Sequence, residues 1–256
     1  MDVRGYNEEA WDREVERGNQ WTVPVGPDVI EEARLGRWEV LLTDSRPVPR
    51  GWFPDLDGAE ILCLASGGGQ QAPVFAAAGA RVTVFDNSPA QLAQDRLVAE
   101  RESLELRTVQ GDMRDLSALA DGSFDLVFHP VSNLFVPEVR PVWAEAFRVL
   151  RRGGALLAGF LNPAVYIFDL DLADTTGELR VKYELPYSAV SSLGEEGLRT
   201  QIERGEPLEF SHTLEDQIGG QIDAGFLISG LYEDRHRDDP IAAYMPTFVA
   251  TRAIKP

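Results

Sequence analysis

Apolar positions in the first half of the chain alternate between short strand-like runs and a helix-like stretch. Residues 61–64 and 81–85 are apolar runs, and residues 72–78 between them are rich in alanine and end at Gly79. Buried parallel strands are typically continuous apolar runs, and a glycine that follows a helix commonly adopts the left-handed conformation that ends it. The pattern therefore predicts two parallel strands joined by a helix.

The same alternation continues to about residue 161 and returns near the end of the chain. A further strand is predicted from Phe124 onward, and the last unit predicts a helix over 213–224 and strands over 226–232 and 247–253. Strands that alternate with helices indicate an α/β fold with right-handed crossovers.

The first 54 residues depart from this alternation. They hold four of the five tryptophans, and they predict one helix capped by Asn7 and ended by Gly18. A second helix is predicted over 28–35, with Gly36 as its end.

Residues 162–210 also break the pattern, because aromatic and apolar side chains are followed by many acids. We interpret this stretch as an insertion that covers a binding site. The predicted organisation is an N-terminal helical segment, 1–54, followed by a main domain, 55–256, that contains the insertion.

A glycine turn and an acid stand at the ends of the first two predicted strands. Gly67, Gly68 and Gly69 follow the first strand and allow a sharp turn with close approach of a ligand, because they carry no Cβ. Asp86 ends the second strand, about 20 positions further on, where an acid can hold the hydroxyls of a ribose. This pair predicts a site for a ligand with an adenosine-like ribose.

Composition limits the class of partner. The formal net charge is −18, and only two lysines, Lys182 and Lys255, occur in the chain. Phosphate recognition needs clustered Lys and Arg, so a nucleic-acid substrate is disfavoured, whereas a preference for cationic substrates is a weaker alternative. The single cysteine excludes an internal disulfide and predicts a cytoplasmic location. No apolar run approaches the roughly 18 residues of a membrane span, so no membrane association is predicted. Three scattered histidines and one cysteine do not have the spacing of metal ligands, so no metal site is predicted.

Later motifs extend the pattern of the glycine turn. Gly111-Asp112-Met113 follows a third strand, Phe124-Asp125 opens a fourth, and Arg148 to Gly154 forms a turn before a fifth. With the glycine turn and Asp86, these motifs resemble the class I S-adenosylmethionine-dependent methyltransferases over residues 55 to 160, in full order and at suitable spacing.

The resemblance implies a Rossmann-like sheet of seven strands, mostly parallel and with an antiparallel last strand, with helices on both faces. It implies S-adenosyl-L-methionine as cofactor, with an N-terminal segment that folds over the cleft and an insertion after strand 5. The cofactor-binding residues that it implies are Ala65, Gly67, Gly68, Gly69, Asp86, Asn87, Asp112, Met113 and His129. The side chains predicted to cover the substrate are Tyr6, Trp11, Trp21 and Tyr166.

Two positions depart from the family pattern. Cys63 stands where the family usually has an acid that orients the methionine end of the cofactor, and Ala65 stands where it has a first glycine. Cys63 is predicted to be a small core side chain, because a buried thiol behaves as a hydrophobe. Ala65 is predicted to be tolerated through a negative φ.

The predicted acceptor side follows the fourth strand, at residues 128–133. His129 is a candidate general base, because imidazole titrates near neutrality, and Asn133 is a candidate for positioning a polar acceptor. The alternative for His129 is a histidine that only shapes the loop. His212 and His236 are weaker candidates, since His236 lies in a charged stretch, 233–239, predicted to be a solvated loop.

The leading hypothesis is a methyltransferase that acts on a small-molecule acceptor. One alternative is a non-catalytic S-adenosylmethionine- or nucleotide-binding regulatory protein, which the changes at Cys63 and Ala65 favour. A nicotinamide-dependent oxidoreductase is a further alternative, although Ala72 replaces the third glycine of that motif. Acceptor identity, the methylated atom and the oligomeric state stay open.

Overall fold

The computed structural model describes residues 1–236 and 238–256, and its centre is a seven-stranded sheet. The strands are β1 (Glu60–Leu64), β2 (Arg81–Asp86), β3 (Leu106–Gln110), β4 (Phe124–His129), β5 (Leu150–Leu161), β6 (Leu227–Asp234) and β7 (Phe248–Ile254). Their order is β3-β2-β1-β4-β5-β7-β6, and β7 alone runs antiparallel to its neighbours. The predicted Rossmann-like fold class is confirmed.

The chain order reverses at β1. It proceeds outward from β1 to β3 on one side, and then returns to place β4 on the other side of β1. Open α/β sheets bind ligands at such a switch point, beyond the carboxyl ends of the strands. The topology therefore predicts a ligand-binding site in the loops that follow β1, β2 and β4.

Helices and the two flanking segments cover the sheet. The helices among the described residues are α1 (Val3–Arg17), α2 (Pro27–Arg34), α3 (Gln71–Ala77), α4 (Pro89–Glu102), α5 (Arg140–Val149), α6 (Leu170–Thr176), α7 (Ala189–Ser192), α8 (Gly194–Arg204) and α9 (Gly220–Asp223). None of these described helices is long and apolar enough to cross a membrane.

Successive residues of β1 face opposite sides of the sheet. Ile61 and Cys63 belong to one buried apolar cluster, whereas Leu62 and Leu64 belong to a second. This alternation is the expected consequence of the two-residue period of a strand. Cys63 is a fully buried core residue, as its position in the sequence predicts, and burial raises the pKa of its thiol well above the ordinary value.

Two helices begin at short polar side chains that cap them. Ser88 caps α4 by accepting the Gln91 N–H at 3.0 Å. The first helix, however, begins at Val3, with Asp2 as its cap, so the predicted cap at Asn7 is wrong. Asn7 lies inside α1, and its buried amide instead bonds the backbone of a segment about 200 residues away.

The helix predicted over 213–224 forms in two parts. A π-type turn, Glu215–Gly219, leads into the short helix α9. The strand predicted at 226–232 is longer than expected, because β6 runs on to Asp234. Arg237, inside the charged stretch 233–239, lies outside the described residues.

The region predicted as an insertion forms a third cluster above the carboxyl ends of the strands. The buried members of this cluster are Leu134, Tyr166, Tyr187, Ala189, Leu208 and Phe210. Val3 and Tyr6 of α1 pack against it. The two segments that interrupt the strand–helix alternation therefore meet each other on the ligand-binding edge of the sheet.

Candidate active site

A cavity of about 470 Å³ lies at the carboxyl ends of the strands, within the roughly 300–1,000 Å³ typical of small-molecule sites. Its floor is formed by the loops after β1, β2, β3 and β4. One face of α1 covers it through Val3, Arg4, Asn7, Trp11 and Glu14. This spacing of three or four residues is that of neighbours on one helix face.

The glycine turn after β1 is tightly packed. Gly67 lines the cavity, and its N–H donates to Asp86 Oδ2 at 2.9 Å. A Cβ on Gly67 would lie 2.7 Å from the Gln91 Cβ. Gly68 and Gly69 have φ values of +110° and +72°, so they turn the backbone but do not themselves line the cavity.

Ala65 contradicts the expectation of a negative φ. Its φ is +47°, which places an alanine in the left-handed region, while its N–H donates to the Phe85 carbonyl at 2.7 Å. That conformation costs an L-residue about 1–2 kcal/mol. Ala65 therefore holds a conformation that favours glycine, the residue usual in the family at this position, and it lines the cavity.

Asp86 stands at the centre of the site. Its Oδ2 accepts the N–H of Gly67, and its Oδ1 accepts the N–H of Ser88 at 2.9 Å. Burial raises the pKa of Asp86, although these backbone donors oppose the rise. Each oxygen keeps a free lone pair, and the residue lines the cavity. Beside it, the Asn87 amide exchanges hydrogen bonds with Arg4, at 3.0 and 3.2 Å.

The loop after β3 supplies a second carboxylate. Asp112 is paired with Arg114, whose Nη2 lies 2.6 Å from Asp112 Oδ2. Burial opposes ionisation of Asp112, but the hydrogen bonds and the charge of Arg114 hold its pKa below the ordinary value. Met113 is largely buried in the adjoining core, and both Asp112 and Met113 line the cavity.

Two polar atoms in the cavity wall have no protein partner among the described residues. Ser66 Oγ and Gln91 Oε1 are buried, and both residues line the cavity next to the glycine turn. Buried polar groups are normally hydrogen-bonded. These unsatisfied groups therefore lie in the wall at the glycine-turn end of the cavity.

The structure places His129 outside the cavity, which overturns its predicted role as a general base. The side chain is fully buried beside Trp143, with the ring centroids 5.8 Å apart. Its Nδ1 lies 2.9 Å from the Leu64 carbonyl oxygen, and its Nε2 has no partner among the described residues. Burial lowers the pKa of His129 to about 4. The neutral imidazole donates its Nδ1–H to Leu64 and shapes the fold, as the alternative interpretation held.

Asn133 is likewise turned away from the cavity. Its amide exchanges hydrogen bonds with the amide of Gln217, at 3.0 and 3.2 Å, and both side chains are buried. The His212 Nε2–H donates to the Asn133 carbonyl oxygen at 3.0 Å. These contacts fasten the loop after β4 to the turn that precedes α9, and they correct the prediction that Asn133 positions an acceptor.

The four predicted covering aromatics divide into two pairs. Trp11 and Trp21 line the cavity, and Trp21 is 40% exposed at its rim. Tyr6 and Tyr166 do not line it: the Tyr6 hydroxyl donates to the Glu206 carbonyl at 2.9 Å, and the Tyr166 hydroxyl donates to Glu209 Oε2 at 2.8 Å. Both tyrosines therefore lie outside the cavity and hold residues of the insertion in place through these hydrogen bonds.

Two lining acids, Glu209 and Asp44, were absent from the sequence-based prediction, and His236 was only a weaker candidate in it. Glu209 lines the cavity from the insertion, and Asp44 and His236 line it together, with Asp44 Oδ1 3.8 Å from His236 Nε2. His236 was predicted to lie in a solvated loop, whereas it borders the cavity. No motif marks these residues, because they reach the site only through tertiary packing.

A doubly wound sheet with a glycine turn, a strand-end acid and an enclosed cavity at the switch point defines a nucleotide-cofactor enzyme of the methyltransferase type. A family model described as "Methyltransferase domain" matches residues 62–158, from β1 into β5. A Bacillus subtilis protein named uncharacterized methyltransferase YbaJ is 52% identical over 250 residues, which cover 98% of this chain and 97% of that protein. The chain therefore belongs to the class I S-adenosylmethionine-dependent methyltransferases.

Other relatives match a smaller part of the chain or the fold alone. A ubiquinone biosynthesis O-methyltransferase of Xanthomonas oryzae is 32% identical over 114 residues, 44% of this chain and 48% of that protein. The crystal structure of an S-adenosylmethionine-dependent methyltransferase from Mesorhizobium loti superposes with a TM-score of 0.62 at 20% identity, over 80% of this chain and 94% of that one. Membership of the family excludes the nicotinamide oxidoreductase hypothesis.

The residues of the cavity fit S-adenosylmethionine, which is the cofactor of this family. Asp86 presents a half-buried carboxylate, and Ser66 and Gln91 present polar atoms that have no partner among the described residues. The acids that line the cavity, Glu14, Asp44, Asp86, Asp112 and Glu209, outnumber the lining arginines, Arg4 and Arg114. An acidic site suits a cofactor with a sulfonium and an ammonium group. The described residues contain no group of three or more metal-ligating side chains.

Proposed function

We propose that this enzyme transfers the methyl group of S-adenosylmethionine to a small-molecule acceptor held inside the cavity. The observation that carries the proposal is the enclosure of the cavity by α1 on one side and by Pro207 and Glu209 of the insertion on the other. The net charge of −18 supports a small acceptor over a nucleic acid, and we propose a cytoplasmic location on the composition of the chain.

The cofactor supplies an activated methyl group, and the protein positions the cofactor and the acceptor relative to each other. We assign the ribose hydroxyls to Asp86 and the adenine to Asp112 and Met113. Ser66 and Gln91 are assigned to the methionine end, because Cys63 is buried and cannot act there as the family's acid does. Methyl transfer depends mainly on bringing the acceptor atom in line behind the methyl carbon, and enclosure of the cavity serves that requirement.

Calorimetric titration with S-adenosylhomocysteine tests the cofactor site. Transfer from isotopically labelled S-adenosylmethionine then tests the acceptor class, with the small-molecule fraction and the macromolecular fraction of a bacterial extract as alternative substrates. Label in the small-molecule fraction is the expected result. Label confined to RNA or protein would overturn the small-molecule assignment.

We also propose that the segment 1–54 acts as a lid. Trp21 is partly exposed at the rim of the cavity, and Trp11 packs edge-on against Phe135 with ring centroids 5.0 Å apart. Binding of S-adenosylhomocysteine should change tryptophan fluorescence. Trp21→Phe should remove most of that change, while Trp52→Phe, which alters a tryptophan packed on Tyr232 outside the cavity, should retain it.

A further inference from the structure

The part of the cavity away from Asp86 and Asp112 has an apolar wall with few polar groups. The apolar side chains there are Leu42, Val131, Leu134, Phe135, Leu161 and Phe248. The carboxylate that the insertion adds to this wall is Glu209. With His129 and Asn133 turned away, the titratable groups left in the cavity are its lining acids and His236, and Glu209 is the one that the insertion adds to the apolar wall.

The backbone on both sides of Glu209 is held by the elements that frame the cavity. The Leu208 N–H donates to Asn7 Oδ1 at 2.8 Å, and the Asn7 amide donates to the Leu208 carbonyl at 3.0 Å. The Phe210 N–H donates to the Leu134 carbonyl at 2.8 Å. These hydrogen bonds hold the backbone at Glu209 between α1 and the loop after β4. In this fold, that loop borders the methyl group that is transferred.

Among the described residues, one neutral donor holds the side chain of Glu209. The Tyr166 hydroxyl donates to Oε2 at 2.8 Å, and Tyr166 itself is stacked on Tyr187 with ring centroids 5.0 Å apart. No salt bridge among the described residues includes Glu209, and the charge of another acid, Glu206, adds to burial in raising its pKa. A half-buried carboxylate with one neutral partner is incompletely satisfied, because charges withdrawn from water are normally paired.

We propose that Glu209 binds the acceptor and takes its proton, and that the acceptor is an amine with an apolar body. This inference rests on the proposed function. The protonated amine pairs with the Glu209 carboxylate and transfers one proton to it. The neutral nitrogen then forms a bond to the methyl carbon with its lone pair. The carbon–sulfur bond breaks with its electrons moving to sulfur, so that the positive charge passes from sulfur to the methylated nitrogen.

The charges of the wall favour an amine over an acid or an alcohol. An anionic acceptor would face Glu209 and Asp44. Of the two lining arginines, Arg114 is paired with Asp112 and Arg4 donates to Asn87, beside Asp86. An alcohol would gain no charge pairing with Glu209. An ammonium group supplies the missing counter-ion, while its hydrocarbon body covers the apolar wall.

The test uses purified protein saturated with S-adenosylhomocysteine and six probes. Hexylamine and phenethylamine are titrated beside the matched alcohols, hexanol and phenethyl alcohol, and the matched carboxylates, hexanoate and phenylacetate. Turnover with S-adenosylmethionine is followed by the release of S-adenosylhomocysteine. Amines should bind at least about 10-fold more tightly than the alcohols, and the carboxylates should not bind, because a hydrogen bond to a charged group contributes roughly 1.5–3 kcal/mol.

Glu209→Gln should lower kcat/KM for the amines by about 10- to 100-fold, from the same charge-pair magnitude, with affinity for S-adenosylhomocysteine unchanged. Glu203→Gln is the matched control, because Glu203 is an exposed acid in α8, six positions before Glu209, and does not line the cavity. Equal binding of amines and carboxylates, no binding of any amine, or an unchanged Glu209→Gln variant would overturn the inference. Loss of S-adenosylhomocysteine binding by the wild type would instead overturn the proposed function.

Discussion

Asp86 Oδ2 accepts the backbone N–H of Gly67 at 2.9 Å, so the acid that ends β2 also fixes the turn that follows β1. The other oxygen of Asp86 accepts the N–H of Ser88, which caps α4. One carboxylate thus joins three elements and still presents lone pairs to the cavity. Binding of the cofactor and stability of the turn are consequently coupled at this residue.

Asp86→Ala should weaken S-adenosylhomocysteine binding by about 10- to 100-fold, because hydrogen bonds to charged groups contribute roughly 1.5–3 kcal/mol. It should also lower the free energy of unfolding, since the Gly67 and Ser88 amides lose their acceptor. Asp86→Asn keeps the size of the side chain and one acceptor oxygen, so it should lose affinity but less stability. Calorimetry measures the affinity for S-adenosylhomocysteine, and urea denaturation measures the free energy of unfolding. Wild-type affinity in both variants would show that Asp86 does not bind the cofactor.

Gly67→Ala should damage the same turn by crowding. The added Cβ would lie 2.7 Å from the Gln91 Cβ and 3.1 Å from Asp86 Oδ2. Overpacking of this kind costs about 1–3 kcal/mol, and we expect S-adenosylhomocysteine affinity to fall with it. Gly51→Ala is the control, because a Cβ there meets nothing within 4 Å. The prediction fails if the two variants unfold at the same urea concentration.

Ala65→Gly should raise stability, which is unusual for a substitution to glycine. Ala65 has φ +47°, and relief of that strain, about 1–2 kcal/mol, exceeds the roughly 0.4–1 kcal/mol by which glycine favours the unfolded chain. Ala93→Gly, at an exposed position inside α4, should instead destabilise by about 1 kcal/mol. Urea denaturation of both variants checks the opposite signs. A loss of stability in Ala65→Gly would contradict the strain argument.

Local patterns predicted the cofactor half of the cavity. The run of strand, glycine turn, helix and strand is contiguous in the chain, and parallel strands bring their carboxyl ends to one edge of the sheet. Gly67 and Asp86 could therefore be placed together from the sequence. The positive φ of Ala65 could not, because its backbone conformation is imposed by the turn rather than by the residue type.

The acceptor half depended on side-chain direction and on distant contacts. Along β4, Leu126 and Phe128 face one cluster and Val127 faces the other. The same alternation puts His129 on the side of Val127, toward Trp143 of α5, so the two-residue period contained a signal against a catalytic role. Glu209 carried no such signal, since its position depends on Asn7 and Tyr166, which lie far from it in the chain.

The buried imidazole of His129 should make stability depend on pH. Its pKa is about 4 in the folded protein against 6.5 for the free side chain, so the unfolded chain binds more protons between these values. Stability from this residue is present above pH 6.5 and is lost as pH falls toward about 4. His129→Asn retains a donor for Leu64 but does not titrate, so its difference from wild type should change with pH over this window. A constant difference would contradict the assignment, and S-adenosylhomocysteine affinity should be retained.

Asp95 should give the opposite dependence. It is fully buried behind the glycine turn, where Oδ2 accepts the Gly68 N–H at 3.1 Å and Oδ1 has no partner among the described residues. Burial, and then the charge of Asp86, raise its pKa from 3.8 to about 8, against the opposing effects of the Gly68 and Gly69 amides and Arg96.

The folded protein therefore binds more protons than the unfolded chain between these values, and the contribution of Asp95 is fully present below pH 3.8 and is lost as pH rises through about 8. Asp95→Asn should remove this pH dependence. Urea denaturation should then show the free energy of unfolding of the variant rising relative to that of the wild type as pH rises. Asp121→Asn, at an exposed carboxylate, is the control and should keep the wild-type slope. If Asp95→Asn and the wild type lose stability in parallel up to pH 8, then Asp95 is ionised in the folded protein. The turn would in that case be held by a buried anion, which the Gly68 N–H would stabilise directly.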